Sequence, residues 1–423
     1  MILTGGKLYP DEASGELLSG LEARINAVRA GEPLRTETVI SALDALGRQL
    51  EAGALNGLLA RYLSPETGRY LSAARGLLRR EGLTAMVETQ LGPDWQTPRR
   101  GGGITAHTVP LGTLFHIAAG NMDVLPAFSV AEGLLTGNVN LLKLPRADNG
   151  LTVALCQKLI ELAPELAPYL SIFDTPSTDL ETLRALAALA DGVVVWGGEE
   201  AVSAARRLAP VGVKLIEWGH RLSFAYVSGY EDEGAELDAL AEHIVSTEGL
   251  LCSSCQTIFL DTEEQSWAEG FCAGFLPRLE KARGKYPLRD LGGAARASLG
   301  SYSDRLDDVL AGKGGRRRVF QGRGCAVTLT SGGLELSPMY GHCLVKLLPR
   351  ARLLETLREK KGYLQTAGLI CDPERREGLT ALLARAGVTR VTRAGEMSGT
   401  FPGEGHDGEY PLRRYVRVVD VEE

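Results

Sequence analysis

Two cysteines, Cys252 and Cys255, lie in the run Ser246-Thr-Glu-Gly-Leu-Leu-Cys-Ser-Ser-Cys-Gln-Thr-Ile-Phe-Leu260. A helical run, Gly234 to Val245, leads into a turn at Gly249. An apolar, strand-like run, Thr257 to Leu260, follows. A cysteine in such a turn can present its thiol to solvent with its own backbone N–H beside it. That arrangement suits a thiolate nucleophile whose acyl adduct carries an oxyanion. Two other roles fit the same residues. The thiols can be small buried apolar groups, or the Cys-x-x-Cys spacing can serve a redox pair or half of a zinc site. No second Cys-x-x-Cys exists, and His243 is the only histidine close by in sequence. No metal is therefore expected.

The elements that must position these thiols read as alternating strands and helices. Strands are predicted at Leu111–Ala119, Val139–Leu144, Leu170–Phe173, Gly192–Trp196 and Val213–Glu217. Helices follow near Leu125–Leu135, Leu151–Leu162, after Ser177 and from Glu199. A second series uses Ser223–Val227, Thr257–Leu260, Ala326–Leu329, His342–Leu348 and Gln365–Ile370. Alternation at this spacing implies right-handed crossovers and parallel sheets covered on both faces. Ligands then bind at carboxyl ends of strands. Polar or glycine turns stand there: Gly120-Asn121, Lys143 to Arg146, Gly197-Gly198 and Glu217-Trp-Gly-His220. Residues 12–92 read as amphipathic helices, 93–110 as a projecting hairpin, and 282–324 as irregular loops. The alternating tail from Tyr415 to Val421 reads as a strand, added to an edge of this chain or of a second copy.

Composition narrows the function classes. The chain has 423 residues, 44% hydrophobic and 23% charged, with net charge −7. These values describe an ordinary globular protein with no bulk basic patch, which argues against nucleic-acid binding. No signal-peptide core and no run of membrane-spanning length is read. Seven scattered cysteines suit reduced thiols and a cytoplasmic location.

The pieces also occur in a telling order: Ile117-Ala-Ala-Gly-Asn121, Asn140-Leu-Leu-Lys143, Val195-Trp-Gly-Gly198, Glu217-Trp-Gly219, then Cys252. From about residue 100 onward this order resembles the aldehyde dehydrogenase superfamily. Within it, the chain resembles the acyl-CoA reductase family, including the fatty acid reductase of bacterial bioluminescence operons. The residues that carry this are Val109 to Asn121, Cys252-Ser-Ser-x-Gln256, Gly362-Tyr-Leu-Gln-Thr366, and His406-Asp-Gly408 before Pro411-Leu412.

The resemblance implies an aldehyde dehydrogenase-like α/β fold. It has two doubly wound parallel-sheet domains, a helical N-terminal layer and a small oligomerisation hairpin with the tail. The expected division is 1–220 for the helical layer and nicotinamide domain, 221–395 for the catalytic thiol, and 396–423 for the tail. The implied reaction converts a fatty acyl thioester to an aldehyde through an acyl-Cys252 intermediate. The alternative is an aldehyde dehydrogenase, CoA-acylating or hydrolytic, running in the oxidative direction. Asn121 is implied as an oxyanion donor and Glu217 as a proton-transfer group. Lys143 matches a lysine at the adenosine ribose. Arg146 stands where NAD-preferring relatives carry glutamate, which favours NADPH over NADH. Gly197 and Gly198 face the pyrophosphate, and Glu335 matches the nicotinamide-ribose position. The family pattern has proline where this chain has Cys255. His406-Asp407 either closes over the site or shapes a turn. Implied partners are an acyl-CoA or acyl-protein donor, an acyl-protein synthetase, and further copies of the chain.

Overall fold

A computed structural model describes residues 1–62, 78–118, 124–288, 290–311 and 317–422. The chain divides into two units. One is Met1–Gly219 with Phe401–Glu423; the other is His220–Thr400.

The first unit is built on a seven-stranded sheet. Its strands are β1 (Ile2–Thr4), β2 (Lys7–Tyr9), β5 (Thr113–Ile117), β6 (Val139–Lys143), β7 (Leu170–Phe173), β8 (Gly192–Trp196) and β9 (Lys214–Trp218). The order is β2-β1-β7-β6-β5-β8-β9. β5 to β9 are parallel, and β1 joins β7 antiparallel. Val, Leu, Ile and Phe predominate in the central strands β5 to β8, which are buried on both faces as a covered parallel sheet requires. Helices Leu125–Leu135, Leu151–Leu162, Leu180–Ala188 and Glu199–Leu208 fall where the apolar spacing predicts them. Strand order reverses between β5 and β8, so the crevice outside their carboxyl ends is the expected ligand position. The N-terminal hairpin β1–β2 was not read from the sequence, because three-residue strands show no period.

A second sheet in this unit has the order β17-β4-β3, with β3 (Arg99–Gly101), β4 (Ile104–Pro110) and β17 (Val416–Glu422). The expected hairpin is present, and the tail strand pairs with it inside the chain. Val416 to Glu422 run antiparallel to Pro110 to Ile104.

The second unit has its own seven-stranded sheet, ordered β12-β13-β14-β11-β10-β15-β16. The strands are β10 (Leu222–Ser228), β11 (Cys255–Leu260), β12 (Arg317–Gly322), β13 (Cys325–Thr330), β14 (His342–Leu347), β15 (Leu364–Cys371) and β16 (Arg390–Arg393). All pairs are parallel except β12 with β13. Helices Glu233–Thr247 and Gln265–Lys285 supply one buried apolar cluster, and helices Arg350–Arg358 and Pro373–Ala386 supply another. The loop reading of 282–324 is corrected here. Helix Gln265–Lys285 reaches into this region, Leu291–Ala311 is a second long helix, and β12 also falls within it. Its glycines, Gly292, Gly293 and Gly300, concealed a buried face of Ala294, Ala297 and Ser301. Asp290 starts it by accepting the Gly293 N–H at 2.8 Å.

Candidate active site

The thiol loop runs from the end of helix Glu233–Thr247 to the start of β11. Glu248 and Gly249 both have positive φ, 55° and 77°, which turns the chain out of the helix. Of the seven cysteines only Cys252 is exposed. Its carbonyl accepts a hydrogen bond from Ser223 Oγ at 2.7 Å, and Ser223 Oγ in turn accepts the Thr366 N–H at 3.1 Å. The Cys252–Ser253 peptide plane is thereby tied to β10 and β15. Ser253 Oγ lies 2.8 Å from Ser398 Oγ.

Cys255 differs from Cys252 in every respect that matters to reactivity. It is 2% exposed and packs into the apolar cluster under the sheet. Burial pushes its thiol up to about 12. Its N–H donates to His243 Nε2 at 3.2 Å. His243 is itself buried and pushed down to about 4, so it stays neutral and keeps that acceptor. Among the described residues no group of three or more His, Cys, Asp or Glu is arranged to hold a metal ion.

Next to the thiol loop lies the loop between β13 and β14. It carries Glu335, whose Oε1 is 2.6 Å from Lys346 Nζ. Lys346 is 1% exposed on its side chain and also donates to the Gly333 carbonyl at 2.7 Å. A lysine inside the apolar run His342 to Leu348 was the available signal for this buried cation. The sequence reading did not use it.

In the first unit, Lys143 ends β6, is buried, and its ammonium donates to Ser177 Oγ at 2.9 Å. Burial holds its pKa below the usual lysine range, partly offset by Asp174. Arg146 is exposed in the same turn. Gly198 caps helix Glu199–Leu208, with open space where a Cβ would lie. The first turn of that helix also carries Glu199 and Glu200. Their carboxylates already draw on its dipole, so Gly198 offers clearance more than charge, whereas a Cβ on Gly197 would lie 2.8 Å from the Ala201 Cβ.

Glu217 on β9 forms a two-point ion pair with Arg206, its Oε2 lying 2.6 Å from Nη2 and its Oε1 bonded to Nε. The rings of the neighbouring Trp218 and of the β8 terminus Trp196 lie 5.4 Å apart at a 30° tilt, and the His406 ring lies 5.1 Å from each. His406 and Glu409 also exchange backbone hydrogen bonds at 2.8 and 2.9 Å. His406 therefore both shapes a turn and covers the carboxyl ends of β8 and β9. Asn121 lies outside the described residues.

The family model described as acyl-CoA reductase (LuxC) matches residues 33–418. The chain belongs to the acyl-CoA reductase (LuxC) family. It is an oxidoreductase with an aldehyde dehydrogenase-like fold, as its motifs led us to expect. A relative from Photorhabdus luminescens, a long-chain acyl-protein thioester reductase, is 25% identical over 363 residues, which cover 82% of this chain and 72% of that protein. A solved NAD-dependent benzaldehyde dehydrogenase from Corynebacterium glutamicum superposes with TM-score 0.67 at 14% identity, covering 98% of this chain and 91% of that one. A bifunctional proline utilization A protein gives TM-score 0.69 at 17% identity, and this chain spans 45% of its length. These structural likenesses define the fold of the family member described here. Among the described residues no helix is long and apolar enough to cross a membrane.

Proposed function

We propose that the chain reduces a long-chain acyl thioester, carried on CoA or on a protein, to an aldehyde with NADPH. The observation that carries this is Cys252: the one exposed cysteine, on a loop tied down through its own carbonyl, in a chain of this family. The Cys252 thiolate attacks the thioester carbonyl. The acyl group moves to sulfur, and the donor's thiolate leaves and takes up a proton. A reduced nicotinamide supplies hydride. The resulting thiohemiacetal oxyanion collapses to aldehyde and regenerates the Cys252 thiolate. Each addition creates an oxyanion, for which Asn121 is the proposed side-chain donor. One such donor is worth about 3–4 kcal/mol of barrier.

Glu217 is the proposed proton-transfer group. Arg206 of the preceding helix holds its carboxylate at two points, which fixes where that group stands. Lys143, with Ser177, fits an adenosine ribose, and exposed Arg146 fits a 2′-phosphate. Gly198 leaves room for the pyrophosphate, Gly197 lets the chain turn closely past Ala201 into that helix, and Glu335 suits the nicotinamide ribose. A nucleophilic thiol needs a reducing compartment, in keeping with the cytoplasm. An acyl-protein synthetase is the proposed supplier of the donor. The exposed β17 edge, with Val418, Val419 and Val421, is the proposed contact between copies of the chain.

Mass spectrometry after mixing with acyl-CoA, without nicotinamide, tests the reading. An acyl adduct at Cys252, followed by aldehyde release on adding NADPH, is expected. Cys252→Ala must abolish both. Aldehyde formed at the normal rate by that variant refutes the proposal.

A further inference from the structure

Gln256 follows the buried Cys255 and is itself 3% exposed. Its amide makes three hydrogen bonds. Nε2 donates to the Gly249 carbonyl at 2.9 Å. Oε1 accepts both the Ser337 N–H at 3.2 Å and the Ser337 hydroxyl at 2.9 Å. Gly249 belongs to the thiol loop and Ser337 to the loop that carries Glu335. One side chain thus bridges the two.

The surroundings repeat the link. Thr257 Oγ1 donates to the Glu335 carbonyl at 3.0 Å, and the Tyr340 N–H donates to the Glu248 carbonyl at 2.8 Å. The Met339 side chain packs so closely on Gly249 that a Cβ there would lie 3.1 Å from it. Glu248, Met339 and Tyr340 all hold positive φ, at 55°, 67° and 51°. Non-glycine residues keep that conformation only where neighbours over-determine it.

We propose that Gln256 is a positioning residue that locks the Cys252 loop and the Glu335 loop into one hydrogen-bonded body. Only a primary amide of this length satisfies both sides, donating to one loop and accepting from the other. Glutamate keeps the acceptor and loses the donor. Methionine fills the volume and loses both. The lock sets where the thiol stands relative to the carboxylate that Lys346 holds, so the acyl carbon and the hydride donor are aligned by the same side chain. This functional half rests on the reading of Cys252 and Glu335 given above.

The test uses the full chain and hydrogen exchange of backbone amides. In Gln256→Met, exchange is expected to rise about tenfold or more in residues 248–254 and in 335–341 together. In Gln256→Glu it is expected to rise in 248–254 alone. Single-turnover acylation of Cys252 by acyl-CoA should fall by about 100-fold in both variants. The KM for NADPH should rise clearly only in Gln256→Met. Lys346→Met serves as the contrast, raising that KM while acylation stays within about twofold of wild type. Exchange unchanged in both loops of Gln256→Met, or raised equally in both loops of Gln256→Glu, overturns the proposal. A wild-type chain that takes up no acyl group refutes the functional reading instead, and the exchange data still decide the lock. Should Gln256→Met fail to fold, Gln256→Glu decides alone: exchange raised in 248–254 supports the proposal, and exchange unchanged there overturns it.

Discussion

Two thiols three positions apart end in opposite environments, and the backbone explains why. β11 starts at Cys255, so that residue is drawn into the sheet and its thiol into the apolar cluster. Cys252 stays in the turn outside. The sequence motif named the pair, but exposure decides which is chemically competent. Cys255→Ala should leave the acyl adduct at Cys252 intact and cost roughly 1–2 kcal/mol of stability, as truncating a buried side chain does. Loss of the adduct in that variant would contradict the assignment. Glu217 makes a second point. Its motif was legible, whereas its partner Arg206 lies one helix earlier with nothing in the sequence to link them. Glu217→Gln should slow acylation by about 10²-fold or more if the carboxylate transfers protons. An unchanged single-turnover rate removes it from the mechanism.

The central strands of both large sheets and the helices between them were legible because apolar runs stand between turn residues, whereas the edge strands β1, β2, β12 and β16 are short or polar and were not. Gly192–Trp196 and Leu170–Phe173 fall at their predicted bounds. Leu291–Ala311 was missed because its glycines outweighed a weak apolar face. What holds the tail strand was also illegible. Asn138 is fully buried and does much of it: Oδ1 accepts the Gly112 N–H at 2.8 Å, and Nδ2 donates to Thr136 Oγ1 at 2.8 Å and to the Tyr415 carbonyl at 2.9 Å. Residues far apart in the chain meet there, and no local pattern announces such a meeting. Asn138→Ala leaves the Gly112 N–H buried without its acceptor, at a cost of about 1–3 kcal/mol. Its signature should be faster amide exchange along β17 and β4 before any loss elsewhere in the sheet. Uniform loosening of the unit would show that the tail is held by other contacts.

Across the whole molecule, buried titratable groups give the two units different responses to pH. In the second unit, burial pushes His243 and His342 down to about 4 from 6.5. Between those values the unfolded chain binds two protons that the folded unit does not. Stability there rises with pH up to 6.5, at about 1.4 kcal/mol per proton per pH unit. In the first unit, His116 is likewise pushed down to about 4, held neutral between Ser129 and Asn140. Glu132, buried beneath Tyr415, is pushed up to about 8 from 4.5. Between pH 4.5 and 6.5 the unfolded chain gains one proton at His116, the folded unit keeps one at Glu132, and the two cancel. Between 6.5 and 8 only Glu132 remains, bound in the folded state, so stability falls as pH rises. Opening free energies from hydrogen exchange, corrected for intrinsic rates, should separate these responses. β10 and β11 should weaken as pH drops below 6.5. β5 and β6 should hold constant there and weaken from 6.5 to 8. Glu132→Gln should remove that alkaline decline without touching the second unit, because the amide has no group that titrates in this range. A decline that persists in this variant would mean that some other buried acid governs the first unit.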